Sequence, residues 1–429
     1  MDQSELISGL ETHVQASLPR HLELLRQMVA INSFTANPVG VNELGSLTIE
    51  AFADLGFSAE RVQAADFSYG QHLVLTRRAP SANGHGAAPQ IGLISHLDTV
   101  YPAGEEVEND FSWRVSGRKI YGPGVYDIKG GTVMIHLMLS AIEEVAPWLY
   151  NSVTWIVLLN AAEEALVPDF GKLCVERLAG DTLAALVFEG GEAELDGENS
   201  SHLVVNRKGM ARFRLSVEGR AAHAGTAHDQ GANAILQLAD VIRRLAALTN
   251  YDEQVTLNVG TIAGGTVINR VPHQASASLE MRAYSPQIFR ETLEKIMAFD
   301  GYSSVSSGAD GYPCRVHVEV LGVWEPWGPN SGSDGLLQTW DLAGRPLGIH
   351  VLPQSRGGLS DGNWTWQHIP TVDGLGPQGG NAHCSERSAD GSKEQEFILP
   401  DSYATKALLN ILSVLHLIGE RVRPGMAAP

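Results

Sequence analysis

Two adjacent glutamates, Glu163 and Glu164, follow the apolar run 153–159 in "VTWIVLLNAAEEALVPDFG". A run of this kind fills a central strand of an α/β sheet. Two carboxylates therefore emerge side by side at a strand end, where they repel each other and lose hydration. Positive charge has to meet them there. Other polar residues occupy equivalent places, just after apolar strands or in glycine loops: His96 and Asp98 in "SHLDTVYP", Asp127 in "GPGVYDIKGG", Glu189 in "VFEGGE" and His383 in "GNAHCSERS". Two histidines and several carboxylates make a ligand set suited to Zn²⁺, Mn²⁺ or Co²⁺. Two ions about 3.5–4 Å apart need one bridging carboxylate and can share and acidify one water. A general base must stand beside that water. Neighbouring glutamates fit the division: one ligates and the other handles the proton. The 3 cysteines, Cys174, Cys314 and Cys384, are too scattered for a thiolate zinc site.

Each residue alone has a plainer reading. A strand-end His or Asp is commonly a cap, and two acids at a helix start favour the helix dipole. The coincidence of five such places, each with glycine or proline punctuation, carries the metal reading.

The elements that must position these residues alternate. Helical periodicity covers 6–31 and 41–55, with a strand near 72–76, a turn at "SANGHGAAP" and a strand running into "SHLDTVYP". A loop leads into a helix over 132–144, followed by the strand 153–159, a helix over 170–178 and a strand in "LAALVFEGGE". This is the order of a three-layer α/β domain with a mostly parallel sheet, whose sites form at the carboxyl ends of the strands. From about Asn206 the strands instead alternate apolar and polar, in the order βαββαβ, which predicts a ferredoxin-like sheet covered on one face. The α/β pattern resumes after Trp327 and ends in a helix over 401–422 before the tail "RPGMAAP". The expected organisation is a catalytic domain in two parts, 1–207 and 323–429, with an inserted α+β domain at 208–322.

Composition, 44% hydrophobic and 18% charged, describes a soluble globular protein and not a disordered one. The chain has 429 residues, enough for two domains. Lys plus Arg is 30 against 49 Asp plus Glu, a formal charge of −19, which argues against nucleic acid or an anionic membrane as partner. No run is long enough to span a bilayer. The N-terminal stretch is an amphipathic charged helix without the pattern of a signal peptide, and with so few cysteines the expected compartment is the cytoplasm.

In "SHLDTVYP", "GPGVYDIKGG", "NAAEEALVPDFG", "LVFEGGE", "GRAAHAG" and "GGLSDGN", taken in order, the chain resembles the metallopeptidase family of glutamate carboxypeptidase, aminoacylase, acetylornithine deacetylase and succinyl-diaminopimelate desuccinylase. The resemblance covers nearly the whole length. It implies a dimetal α/β hydrolase core with an inserted lid and dimerisation domain, zinc as the first choice of metal, and a homodimer or larger assembly. It also implies residue roles. His96 and Glu189 serve one metal, Glu164 and His383 the other, and Asp127 bridges them. Glu163 is the general base, and Asp98 accepts the ring N–H of His96 and fixes its tautomer. His223 is the lid histidine that reaches a neighbouring subunit's site to stabilise an oxyanion. Asn269 and Arg282 hold the substrate's carboxylate. Cys384 is a packing residue, and His136, His228 and His273 match no motif.

One stretch departs from the family. Where glutamate carboxypeptidases carry arginine on the return from the lid, this chain has "LGVWEPWGP", with Glu325 between Trp324 and Trp327. Either the indoles pack a hinge, or they suit a ligand less anionic and more aromatic than glutamate. The default function is hydrolysis of an N-acyl amino acid or small peptide. The alternatives are hydrolytic removal of an amine from an aromatic ring at the same site, and an inactive binding homologue, which would normally have lost a ligand or the base.

Overall fold

The computed structural model describes residues 3–80, 88–192 and 200–422, so the "SANGHGAAP" turn, but for its last two residues, and the "RPGMAAP" tail lie outside the described residues. The chain divides into two compact units. The first comprises residues 1–205, 329–355 and 360–429, and the second 206–328 with 356–359. The division falls at Asn206 and Gly328, slightly outside the expected 208 and 322. Four residues beyond the expected return, 356–359, also go with the second unit.

In the first unit, β1 (Ser58–Gln63), β2 (Gln71–Arg77), β3 (Gln90–His96), β4 (Thr154–Asn160) and β5 (Thr182–Val187) form a sheet in the order β1-β2-β4-β3-β5, completed by the short strand Thr371–Val372. The pairs β3/β4, β3/β5 and β5 with Thr371–Val372 are parallel, whereas β1/β2 and β2/β4 are antiparallel, so the sheet is mixed. β1, "SAERVQ", escapes the apolar-run criterion because it is an edge strand with largely exposed residues. The central strands are apolar on both faces for a reason visible in their packing. Trp155, Val157 and Leu159 enter one core cluster, while Ile156 and Leu158 enter another on the opposite face. Helices α1 (Gln3–Val29), α2 (Pro38–Ala53) and α3 (Lys129–Val145) contribute to the first cluster, together with the helix Asp401–Val422, and α4 (Asp169–Arg177) contributes Phe170, Leu173 and Cys174 to the second. The result is a three-layer α/β unit.

The second unit has the order β6 (Gly209–Glu218), α5 (Ala234–Ala246), β7 (Thr256–Gly264), β8 (Gln274–Ala283), α6 (Pro286–Met297) and β9 (Arg315–Trp324), and the sheet order β7-β8-β6-β9 with antiparallel pairs throughout. Along β6, Ala211, Phe213, Leu215 and Val217 are buried against α5 and α6, and the residues between them face outward. Asn233 caps α5 by accepting from the N–H groups of Ile235 and Leu236, and Ser285 caps α6 ahead of Pro286. This is the ferredoxin-like arrangement. Among the described residues no helix is long and apolar enough to cross a membrane.

Candidate metal centre

His96 is the last residue of β3, and Glu163 and Glu164 follow the turn that leaves β4, the parallel neighbour of β3. Glu189 follows β5 on the other side of β3. Three adjacent strand ends thus deliver an imidazole and three carboxylates to one rim. Asp127 arrives from the loop ahead of α3, and His383 from a loop where it holds a positive φ of 64°.

The donor atoms converge. His96 Nε2 lies 3.0 Å from Asp127 Oδ1 and 3.8 Å from Glu189 Oε1. His383 Nε2 lies 3.3 Å from both Asp127 Oδ2 and Glu164 Oε1. Asp127 therefore presents one oxygen to each histidine. Among the described residues, three sets of donors fall within 4.8 Å of one another: His96 with Asp127 and Glu189; Asp127 with Glu164 and His383; and His96 with Glu163 and Glu164. Asp127 is common to the first two sets, and Glu163 belongs to neither.

The electrostatics are those of a crowded acid site. Burial disfavours charge on the His96 ring, but its contacts with Asp127 and Asp98 and the charge of Glu189 carry its pKa well above the ordinary value. Hydrogen bonds to Asp127 and Glu164 push His383 up to about 11. Burial would raise Asp127, yet the two histidines hold it well below the usual carboxylate range. Burial lifts Glu163 well above that range, with the charges of Glu164, Asp361 and Glu189 adding to it and His96 opposing. Both imidazoles are thus drawn toward the cationic form by carboxylates alone. That environment, with nitrogen and oxygen donors and no thiolate, fits a divalent cation.

The supports of these side chains are more specific than the sequence suggested. His96 Nδ1 donates to the main-chain oxygen of Asp98 at 2.9 Å, while the Asp98 carboxylate is 3.5 Å away. That carboxylate instead accepts the peptide N–H groups of Glu163 (3.0 Å) and Glu164 (3.2 Å) and the Thr35 hydroxyl (2.7 Å). Asp98 thus orients His96 through its backbone and holds the two glutamates through its side chain. Glu396, fully buried, accepts from the N–H groups of Tyr126 and Asp127 with one oxygen and from the Tyr101 hydroxyl with the other. Burial and the nearby Asp127 raise its pKa to about 7. Nothing in the sequence marked Glu396, because its partners lie about 270 residues away along the chain.

The remaining candidates belong to the second unit. His223 is exposed, and its Nδ1 accepts the N–H groups of Gly225 and Thr226, both at 3.1 Å, so the ring proton sits on Nε2. Asn269 is also exposed, and its carbonyl accepts from Ala224 N, beside His223. The Arg282 guanidinium binds Glu280 at 2.7 Å and the Gly357 carbonyl at 3.0 Å. Of the "WEPW" quartet, Glu325 is exposed and Trp324 half-buried. Trp327 is fully buried, paired through its backbone with Arg207. Cys384 is partly buried, with its thiol 3.7 Å from the Glu386 carbonyl, and His136 lies among core residues at 2.9 Å from the Ala51 carbonyl.

The fold and the donor set together are those of an α/β unit with a candidate metal centre and an inserted α+β domain. Residues 205–299 match the family model of the peptidase dimerisation domain. Carboxypeptidase G2 of a Pseudomonas species is 28% identical over 62% of this chain and 60% of its own length, and succinyl-diaminopimelate desuccinylase of Paracidovorax citrulli 26% over 85% and 92%. Among solved structures, the aminopeptidase PepT of Bacillus cereus superposes with a TM-score of 0.71, at 21% identity, over 93% of this chain and 98% of that one. The chain thus carries a match to a peptidase dimerisation domain and is similar in sequence to a carboxypeptidase, an acetylornithine deacetylase and a succinyl-diaminopimelate desuccinylase.

Proposed function

We propose that the chain hydrolyses a C–N bond, the amide of an N-acyl amino acid or small peptide-like substrate that carries a carboxylate. The observation that carries this reading is the pair of donor sets joined at Asp127, with Glu163 next to them and outside both. In this reading His96, Glu189 and Asp127 would hold one divalent cation, Zn²⁺ in preference to Mn²⁺ or Co²⁺, and Asp127, Glu164 and His383 a second. Cations there supply Lewis acidity and lower the pKa of water. Glu163, its carboxyl pushed up by burial, takes the proton of the attacking water and delivers it to the leaving nitrogen. Asn269 and Arg282 receive the substrate carboxylate, and His223 offers its Nε2–H to the developing oxyanion.

The protein acts as a homodimer formed by the second unit. The peptidase dimerisation match supports this, as does the edge strand β7, which exposes Ile262 beside Val267 and Ile268. Nucleic acid and membrane have no part in this reading, and the 3 free cysteines suit the cytoplasm. The arylamine alternative rests on Trp324 and Glu325 alone, since Trp327 is enclosed.

The test is metal analysis of the purified protein followed by a screen of N-acyl amino acids, dipeptides and aromatic amines. Turnover of the first two classes is expected, with acyl-glutamates among the weaker substrates because Glu325 opposes a second carboxylate. Release of ammonia from aromatic amines alone would replace this reading with the alternative.

A further inference from the structure

The turn that carries Glu163 and Glu164 has an unusual backbone. Four successive N–H groups each donate to a side chain: Ala161 to His72 Nδ1 (3.1 Å), Ala162 to Asn160 Oδ1 (3.0 Å), Glu163 to Asp98 Oδ1 (3.0 Å) and Glu164 to Asp98 Oδ2 (3.2 Å). Each of these acceptors is itself held from elsewhere in the first unit. His72 Nε2 donates to Asp169 at 3.2 Å, Thr35 donates to Asp98 at 2.7 Å, and Asn160 Nδ2 donates to Asp361 Oδ1 at 2.9 Å.

Among the three acceptor residues, Asn160 can fail by rotation of its amide. Its amide has an accepting end and a donating end, and a flip would set NH₂ against the Ala162 N–H. The Asp361 oxygen on the far side selects the working orientation, because it accepts from the Asn160 NH₂. Asn160 is 2% exposed and Asp361 4%, so water does not compete for either end. Asp361 is itself located by a short network: Ser360 Oγ donates to Asp373 at 2.8 Å and accepts from Gly362 N at 3.2 Å.

We propose that Asp361, acting through the Asn160 amide, is a positioning residue for the turn that aims Glu163 and Glu164. The proposal rests on the hydrolase reading above and assigns the "SDG" of "GGLSDGN" a task that its position, 201 residues from Asn160 along the chain, conceals.

The test uses four variants of the full chain, assayed with Zn²⁺ on N-acetyl amino acids and dipeptides, and in parallel by hydrogen exchange of residues 160–164 in the metal-free protein. Asp361→Ala lowers kcat about ten- to a hundredfold, the scale of a small misplacement of catalytic groups. KM and metal content stay unchanged, and exchange of the turn is faster. Asp361→Asn keeps an oxygen facing Asn160 and retains wild-type exchange and most of kcat. Asn160→Asp sets two buried carboxylates against each other and is the most damaging. The double variant Asn160→Asp with Asp361→Asn reverses the pair, again leaving one acceptor for Ala162 N–H and one donor between the two positions, and recovers both readouts.

Wild-type exchange in Asp361→Ala overturns the proposal, as does a double variant no better than Asn160→Asp alone. So does a loss of kcat that follows metal content or global stability rather than exchange of the turn. Absence of wild-type turnover on every amide probe defeats the hydrolase reading instead, and the exchange data then still decide the contact.

Discussion

Glu163 and Glu164 are neighbours in sequence with different surroundings: Glu164 faces His383 and Asp127, whereas Glu163 shares no donor set with Asp127. This difference predicts separable phenotypes. Glu163→Gln is expected to retain its metal and lose about 10²–10⁴ in turnover, the usual contribution of a general base. Full activity in that variant would reassign the role. His96→Ala and His383→Ala should instead lower bound metal, read by elemental analysis after gel filtration, since each removes the only imidazole of one Asp127-containing set. Which residues could do this chemistry was legible in the sequence, because polar side chains stood where apolar strands ended. What holds them was not. The Asp98 carboxylate serves two peptide N–H groups and Thr35, and no spacing rule foretells that it does so while the Asp98 backbone binds His96.

At the scale of elements, close approach of helix and strand sets the rim of the site. A Cβ at Gly131 in α3 would stand 2.0 Å from the carbonyl oxygen of Phe188, the residue before Glu189. Gly131→Ala should therefore cost about 1–3 kcal/mol of stability by overpacking. It should also weaken metal binding by shifting Glu189. A denaturant midpoint equal to wild type would contradict this. The contact between α4 and β2 makes a pH prediction. Burial alone would raise Asp169, but His72 and the N–H groups of Ala65 and Phe170 outweigh it and bring its pKa to about 2 from 3.8. A carboxyl lowered on folding stabilises the protein above its unfolded pKa, and that contribution disappears as pH falls through the folded value. The stability gap between wild type and Asp169→Asn should therefore be constant near neutrality and shrink between about pH 4 and pH 2. Urea midpoints at a series of pH values would show it, and a gap that widened toward acid would refute the assignment.

For the whole molecule, the prediction concerns subunits. If His223 serves a neighbour's site, Glu163→Gln and His223→Ala homodimers are both impaired, while mixing and re-equilibrating the two restores activity. In the mixed dimer one site has both residues. The expected ceiling is about a quarter of wild type for random exchange, one intact site in half of the dimers. No recovery despite demonstrated subunit exchange would place His223 in its own subunit's chemistry or outside it. Sedimentation showing a strict monomer at micromolar concentration would remove the dimer altogether.

Strand and helix order, the change from two-faced to one-faced strands near Asn206, and the candidate donors that the fold brings together could all be read from the sequence. Each depends on local periodicity or on residues next to a strand end. β1 could not, because an exposed edge strand carries no apolar alternation. Nor could the burial of Trp327, where indole chemistry alone left hinge and pocket equally open. The pairings Asn160 with Asp361, Glu396 with Asp127 and His72 with Asp169 join residues about 100 to 270 positions apart. Only the folded chain decides such contacts, because a hydrogen bond depends on where two groups meet in space, whatever the distance between them along the sequence.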